Sequence, residues 1–329
     1  MKKTMLTLEE TAALIKTGSF LALAADESIL RQLPAGNWIG GTIPYFIGDQ
    51  GGLESRDLVH VTPLAEAGTA AKIVDYTTST ISRIAVEAPD NGFSVVILPA
   101  FSAIHGEYAA HAQDYEDLFL KPIVGWISGT HLADLGKATP KVMNGLTGCL
   151  SSDQASVIHV PLPSSQVARV QILNLFRQGD GDVITFPKDG FTASDCMVNG
   201  RPANVAAYAQ ARALDPSRPL VADYHGAQIN ISFQSVDAEK GQVTFYAPVF
   251  AGVEYRQAGP VGDYVEGFKA LVSGVHVNAR FTCNCILNYL HGKLEGRKTG
   301  DFTGPMTFGE IGYQVLNQTL VYLEILDGQ

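Results

Sequence analysis

Small polar side chains and one carboxylate lie close together in sequence near the C-terminus, within otherwise apolar segments. Thr282-Cys-Asn-Cys285 ends an apolar run, Glu310 stands between two nearby glycines, and Asn317 precedes a final β-branched and aromatic segment. A carboxylate in apolar surroundings must be paired, hydrogen-bonded or exposed in a cleft, because burying it alone costs about 3 kcal/mol or more. This pattern predicts either a binding site or a tightly hydrogen-bonded group of turns.

We predict that polar residues from both ends of the chain converge on one ligand-binding pocket. Each lies beside glycines or at the end of an apolar run, where strand ends and turns usually form binding sites. Asparagine amides both donate and accept hydrogen bonds, which suits a zwitterionic or amide-bearing ligand, and the carboxylate would meet its positive end. The alternative is that these side chains only tie the last strands to their own turns. The predicted residues are Thr42, Tyr45, Cys283, Asn284, Glu310 and Asn317.

An enzyme is the second interpretation of the same segment, with Cys283 as nucleophile and His276 or His291 as a base nearby in space. No nucleophile elbow, phosphate loop or dinucleotide-binding fingerprint accompanies Cys283, so no catalytic residue is predicted. On a strand, Cys283 and Cys285 would project to one face, and a disulfide between such near neighbours would be strained. Buried structural thiols are the alternative.

No metal site is predicted. His105 and His111 are six residues apart, so on a helix they point to different faces and cannot share a metal ion. The acidic, glycine-rich segment 179–182 lacks the later bidentate glutamate of a calcium loop and is predicted to be a hairpin turn. No second cysteine pair completes a zinc site with Cys283 and Cys285.

The composition excludes several classes of partner. The chain has 329 residues, of which 46% are hydrophobic and 17% charged, and its net charge is −10. Nucleic acids and anionic membranes need clustered lysine and arginine, so neither is expected as a partner. No apolar stretch approaches the ~18 residues of a membrane span, and Thr7-Leu-Glu-Glu10 stands where a signal peptide would be apolar. We therefore predict a cytoplasmic protein without a disulfide framework.

The elements that must position these residues are short. Thr7 and Glu10 predict a capping box, with a helix that Gly18 ends. Residues 20–25 form a continuous apolar run, which is typical of a buried strand. Glycines within the strand pattern at 38–47 suggest close approach by another backbone or a ligand. Short strands between a few helices predict an α/β or α+β layered fold. Further strands are predicted at 59–61, 73–76, 93–98, 122–127, 229–236 and 242–247, and helices at 102–119, 202–214 and 264–272.

Five short motifs resemble the FIST domain, a bacterial sensory module. Cys283-Asn284 after an apolar strand, Phe308-Gly-Glu-Ile311 and Asn317-Gln-Thr-Leu320 are similar to its C-terminal half. Ile39-Gly-Gly-Thr-Ile-Pro44 stands where the family has a strand and a glycine-rich turn, and Val198-Asn-Gly-Arg-Pro-Ala203 resembles the junction between halves. The resemblance spans nearly the whole chain.

The resemblance implies a small-ligand-binding sensory module in intracellular signal transduction, for an amino acid or a similar polar metabolite. It implies two structurally related halves with mixed sheets covered by helices, a FIST N-like half at 1–214 and a FIST C-like half at 215–329. Output would need a separate signalling protein such as a kinase or a cyclase. No cofactor is expected, although a haem-binding branch among similar proteins leaves a haem sensor with His105 as ligand as a further alternative.

Overall fold

Short β-strands dominate this protein and helices are few. A computed structural model describes residues 3–224, 226–272 and 279–328. Its sheets are mixed or antiparallel and helices pack against them, which confirms the predicted α+β class.

Five of the six described α-helices begin at a residue whose side chain caps the helix, and the helix Ile286–His291 lacks a side-chain cap. At the first, the Thr7 side chain accepts from the Glu10 amide and the Glu10 carboxylate accepts from the Thr7 amide, which confirms the capping box. The pattern predicted as one helix at 102–119 ends after His111 and continues as 3-10 turns. None of the described helices is both long and apolar enough to cross a membrane. The helices are α1 (Leu8–Ile15), α2 (Glu27–Leu30), α3 (Ala103–His111), α4 (Val205–Ala211), α5 (Tyr264–Leu271) and α6 (Ile286–His291), and the 3-10 turns are Ile81–Arg83, Ala112–Asp114, Leu118–Leu120 and Leu132–Asp134.

The strands cover most of the remaining chain. The segment predicted as one strand at 38–47 is two strands separated at Pro44, which has no amide to donate to a ladder. The strands are β1 (Met5–Leu6), β2 (Phe20–Ala25), β3 (Trp38–Thr42), β4 (Tyr45–Gly48), β5 (Gly51–Glu54), β6 (Val59–Ala65), β7 (Lys72–Tyr76), β8 (Gly92–Pro99), β9 (Ile123–Ser128), β10 (Val142–Asn144), β11 (Cys149–Ser151), β12 (Ala155–Pro161), β13 (Gln166–Leu173), β14 (Ile184–Thr185), β15 (Gly190–Ala193), β16 (Asp195–Val198), β17 (Arg201–Asn204), β18 (Leu220–Tyr224), β19 (Ala227–Ile231), β20 (Phe233–Asp237), β21 (Gln242–Val249), β22 (Tyr255–Gln257), β23 (Ala279–Cys285), β24 (Gly304–Thr307), β25 (Glu310–Gly312), β26 (Gln314–Leu316) and β27 (Leu320–Asp327).

The first sheet has the strand order β1-β6-β2-β3-β10-β11, and only β2 and β3 run parallel. Strand β2 is apolar throughout because both of its faces are covered. Leu21 and Leu23 belong to a small core shared with α1 and α2, whereas Ala22 and Ala24 belong to the main core. The apolar run in the sequence is therefore continuous because each face of β2 packs against a hydrophobic core.

The second sheet has the order β26-β25-β9-β8-β12-β7 and the third β13-β27-β23-β24-β4-β5. Each has one parallel pair, β8 with β9 and β23 with β24. Residues of all three sheets, such as Ile39, Val96 and Phe281, share the main hydrophobic core. Gly41 is closely approached by a side chain, because a Cβ there would lie 2.5 Å from Cη2 of Trp126.

A fourth sheet, β17-β16-β14-β22-β18-β19, and a three-stranded sheet, β15-β21-β20, enclose a second core that contains Ile184, Phe245 and Tyr255. The strand predicted at 229–236 is divided between these two sheets at Ser232. Every sheet after the first combines strands from 1–214 and from 215–329. The two predicted halves therefore share sheets and cores, and their structural relatedness stays a prediction.

Candidate functional site

Strand β23 places Cys283 and Asn284 inside the main core. The Cys283 thiol is 1% exposed and donates to the carbonyl oxygen of Gly125 at 3.1 Å. The Asn284 side-chain oxygen accepts from the Cys285 amide at 2.7 Å and from Nδ2 of Asn288 at 2.9 Å. Both side chains are thus used to connect β23 to its neighbours.

Glu310, on β25, is fully enclosed. Its Oε2 accepts from the amide and the hydroxyl of Thr319, at 3.0 and 2.8 Å, whereas Oε1 has no hydrogen-bond partner among the described residues. Burial raises the pKa of Glu310 to about 8, and the hydrogen bonds from Thr319 offset only part of this shift. The carboxyl group is therefore mostly protonated at neutral pH.

The other predicted residues also bond to or pack against other groups of the protein. The Thr42 hydroxyl donates to the carbonyl of Gly129 at 2.7 Å. Tyr45 packs on the His131 ring and accepts from the Leu132 amide at 3.2 Å. Nδ2 of Asn317 donates to the preceding carbonyl at 3.0 Å.

The structure brings Cys283, Asn284 and Glu310 into one buried polar cluster, with Asn317 on the adjoining turn, and leaves Thr42 and Tyr45 outside it. A void of about 10 Å³ beside Cys283 and Asn284 has room for one water molecule. The six residues thus do not line a common ligand-sized cavity, because packing closes the space between them. Their binding role stays a prediction.

A nucleophilic Cys283 is not supported by its surroundings. Burial raises the pKa of this thiol well above its ordinary value, and a thiolate is the reactive species. Of the two histidines considered as bases, His291 ends α6 near Asp215, and His276 lies outside the described residues.

We expect one of the four cysteines to react rapidly with 5,5′-dithiobis(2-nitrobenzoate) in the native protein. Cys149 is exposed and the other three are buried, so Cys149→Ser should remove the fast phase while all remaining thiols react in denaturant. A second fast thiol that disappears in Cys283→Ser would instead support the enzyme interpretation.

A ligand-sized cavity lies elsewhere, between the first turn of α3 and the three-stranded sheet. Its volume is about 290 Å³. A smaller space of about 60 Å³ adjoins it and shares Phe101, Gln234, Tyr246 and Phe308 with it. The residues that line the larger cavity are Ala100, Phe101, Ser102, His105, Gly106, Phe191, Gln234, Thr244, Phe245, Tyr246 and Phe308.

The turn from β8 into α3 positions His105 at this cavity. The Ser102 hydroxyl donates to the Pro99 carbonyl at 2.6 Å and accepts from the His105 amide at 3.2 Å, which starts the helix. Nδ1 of His105 accepts from the Phe101 amide at 3.4 Å. Nε2 is buried and has no partner in the described part of the chain. Burial lowers the pKa of His105 to about 4, so the ring is neutral at pH 7.

Phe101 forms the rim of the cavity in a strained conformation. Its φ is +62°, the residue is 56% exposed, and its ring centroid lies 6.1 Å from that of Phe308. A left-handed backbone is unfavourable for a bulky residue, and such strain is concentrated at functional sites. The strained backbone thus holds an exposed aromatic ring at the opening of the cavity.

Gly106 gives the cavity part of its volume. It lies inside α3, where glycine costs about 0.5–1 kcal/mol relative to alanine. A Cβ at this position would meet no described atom within 4 Å. The helix is thus weakened where a side chain would project into open space.

A buried Ser–His pair elsewhere does not form an accessible catalytic site. The Ser94 hydroxyl lies 2.7 Å from Nδ1 of His159, Nε2 of His159 lies 2.9 Å from the Tyr76 hydroxyl, and this hydroxyl donates to Glu87. Ser94 is fully buried, so a substrate has no access to it. Within the described residues, no three His, Cys, Asp or Glu side chains are arranged to hold a metal ion.

The sequence pointed to His105 as a candidate ligand-binding residue but did not show that a cavity lies beside it. The signal it contained was Gly106, an isolated glycine within a helical pattern, which usually has a packing or functional reason. The lining residues outside 100–106 come from four distant segments, and nothing in their local sequence connects them.

The fold and the site define an α+β protein with an aromatic cavity of ligand size beside a buried histidine. The chain belongs to a family of unknown function, DUF6976, whose model matches residues 6–326. No curated protein matches the chain.

Proposed function

We propose that this protein is a small-molecule-binding module whose ligand occupies the cavity beside His105. The single observation that supports this is the cavity itself, about 290 Å³ in volume and lined by aromatic side chains and by His105, whose buried Nε2 has no partner among the described residues. Ligand sites are usually preformed, mostly apolar concavities of roughly 300–1,000 Å³ with a few polar groups. A single small organic molecule is the occupant that fits.

The sensory role is part of the same proposal. Phe101 touches both the cavity and the solvent, so a ligand that packs against its ring would change the exposed surface. In the interpretation that the FIST resemblance implies, a separate kinase or cyclase would respond to that change. The predicted amino-acid ligand fits this cavity less well than an uncharged molecule, because its two charges would be desolvated without partners.

The haem alternative can be tested against the hydrogen bonds of His105. Iron coordination through Nε2 requires a lone pair there, which in a neutral ring places the proton on Nδ1. Nδ1 accepts from the Phe101 amide, so it cannot carry that proton in this arrangement. The contacts of His105 therefore favour a donor role over an iron-ligand role.

Gly106→Leu is the variant that tests the proposed site. The new side chain would fill open space in the cavity, and α-methylstyrene, an uncharged aromatic probe, should bind about tenfold or more weakly because burial of even two carbon atoms is worth ~1.6 kcal/mol. The melting temperature should stay level or rise, since leucine favours a helix over glycine by about 0.8 kcal/mol. Titration calorimetry and thermal unfolding measure the two quantities.

Gly262→Leu is the matched control. Gly262 also has open space around its Cβ position, and it does not line the cavity. Its variant should bind the probe like the wild type. Absence of probe binding to the wild type, or equal binding by Gly106→Leu, would refute the proposed site.

A further inference from the structure

We infer that the cavity takes an uncharged, planar molecule whose hydrogen-bond acceptor meets Nε2 of His105. This inference rests on the proposed function and specifies its ligand. It follows from the tautomer of the buried His105 ring, from the residues that line the cavity, and from the backbone conformation at Phe101.

The tautomer of His105 is determined by its neighbour. A backbone amide can only donate, so Nδ1, which faces the Phe101 amide, must be the acceptor. In the neutral ring the proton is therefore on Nε2. His105 is 7% exposed, and this N–H group has no partner among the described residues. A buried donor without an acceptor is unfavourable, and a ligand oxygen or ring nitrogen would satisfy it.

The wall indicates a flat and uncharged ligand. Five of the lining residues are aromatic, and none of the lining residues described carries a formal charge at neutral pH. The Phe191 ring centroid lies 6.0 Å from that of His105, so apolar ring surface adjoins the His105 ring. Aromatic rings pack favourably against other rings, whereas a charged group would lose its hydration without an ionic partner.

The strained residue Phe101 links the rim of the cavity to the donor. Its amide donates to Nδ1 of His105 and so places the ring proton on Nε2, and its side chain lies at the opening of the cavity. A different φ at this residue would move the amide away from Nδ1. The strained backbone thus keeps the histidine in the donor tautomer that the ligand requires, which gives the strain a specific use.

Three probes of nearly the same shape separate these requirements. Acetophenone carries a carbonyl oxygen, α-methylstyrene has a methylene in its place, and benzoate has a carboxylate. The ratio of acetophenone affinity to α-methylstyrene affinity should be about 2- to 10-fold higher in the wild type than in His105→Phe, since one net hydrogen bond is worth that much. Benzoate should bind about tenfold or more weakly than acetophenone.

Titration calorimetry on wild type, His105→Phe and His105→Gln provides the measurement. His105→Gln retains an N–H donor and should keep part of the preference for acetophenone, even if His105→Phe folds poorly. An unchanged acetophenone to α-methylstyrene ratio in both variants would overturn the role of His105, and tight benzoate binding would overturn the uncharged class. Either result leaves the Gly106-dependent binding of α-methylstyrene intact, so it is distinguishable from failure of the proposed function.

Discussion

Between pH 5 and pH 8.5, the free energy of unfolding of the wild type should fall by about 4 kcal/mol more than that of Glu310→Gln. Burial raises the pKa of Glu310 from 4.5 to about 8. The folded state therefore holds a proton that the unfolded state has already released. This favourable difference is complete below pH 4.5 and is lost as the pH rises through 8.

Glutamine is a close replacement for the protonated carboxyl group. Its carbonyl oxygen can still accept from the amide and hydroxyl of Thr319, and its amide cannot ionise. The variant should match the wild type near pH 5 and exceed it in stability near pH 8.5. Urea unfolding at several pH values measures the difference.

Glu116→Gln is a suitable control for the Glu310 experiment, because Glu116 is exposed. Its pH profile should follow that of the wild type. Identical profiles for Glu310→Gln and the wild type would show that the Glu310 carboxyl group is solvated or paired in solution. If Glu310→Gln lost affinity for an amino acid that the wild type binds, with unchanged stability, the predicted ligand-binding role of Glu310 would be supported instead.

Acidification should destabilise the fold through three buried histidines. Burial lowers the pKa values of His60, His105 and His159 from 6.5 to about 4. Each therefore contributes stability that is fully present above pH 6.5 and is lost as the pH falls through 4. A shift of this size corresponds to about 3 kcal/mol for each histidine.

His60→Phe isolates one of these contributions. His60 is 3% exposed, its ring is stacked 6.4 Å from that of Phe46, and its Nε2 has no partner in the described ranges. Phenylalanine preserves the stacking and cannot be protonated. Between pH 7 and pH 4, the variant should lose about 3 kcal/mol less unfolding free energy than the wild type.

Replacement of the exposed His111 by phenylalanine provides the comparison for His60→Phe. Urea unfolding at pH 7, 5.5 and 4 should give His111→Phe the acid sensitivity of the wild type. If His60→Phe showed that same sensitivity, proton uptake by His60 would have no part in acid unfolding.

The sequence by itself determined the local features of this protein. The capping box at Thr7 and Glu10, the buried strand β2 and the α+β class follow from hydrogen bonds and apolar patterns within a few residues. Such features can be predicted from sequence because the groups that interact are close together in the chain. The element ends were less well predicted, as the early end of α3 shows, because packing decides where a helix stops.

Only the tertiary structure decided which of the polar and ionisable residues are enclosed and which border a cavity. Glu310 reads as a ligand carboxylate in sequence, but whether water reaches it depends on β9, β23 and the turn at Thr319, which pack around it. The cavity beside His105 depends equally on α3, β15, β21 and Phe308. Enclosure and open space are properties of distant segments in contact, and desolvation then fixes the protonation of the groups inside. A single segment's sequence carries its own periodicity and caps, but not the identity of the surfaces that will cover it.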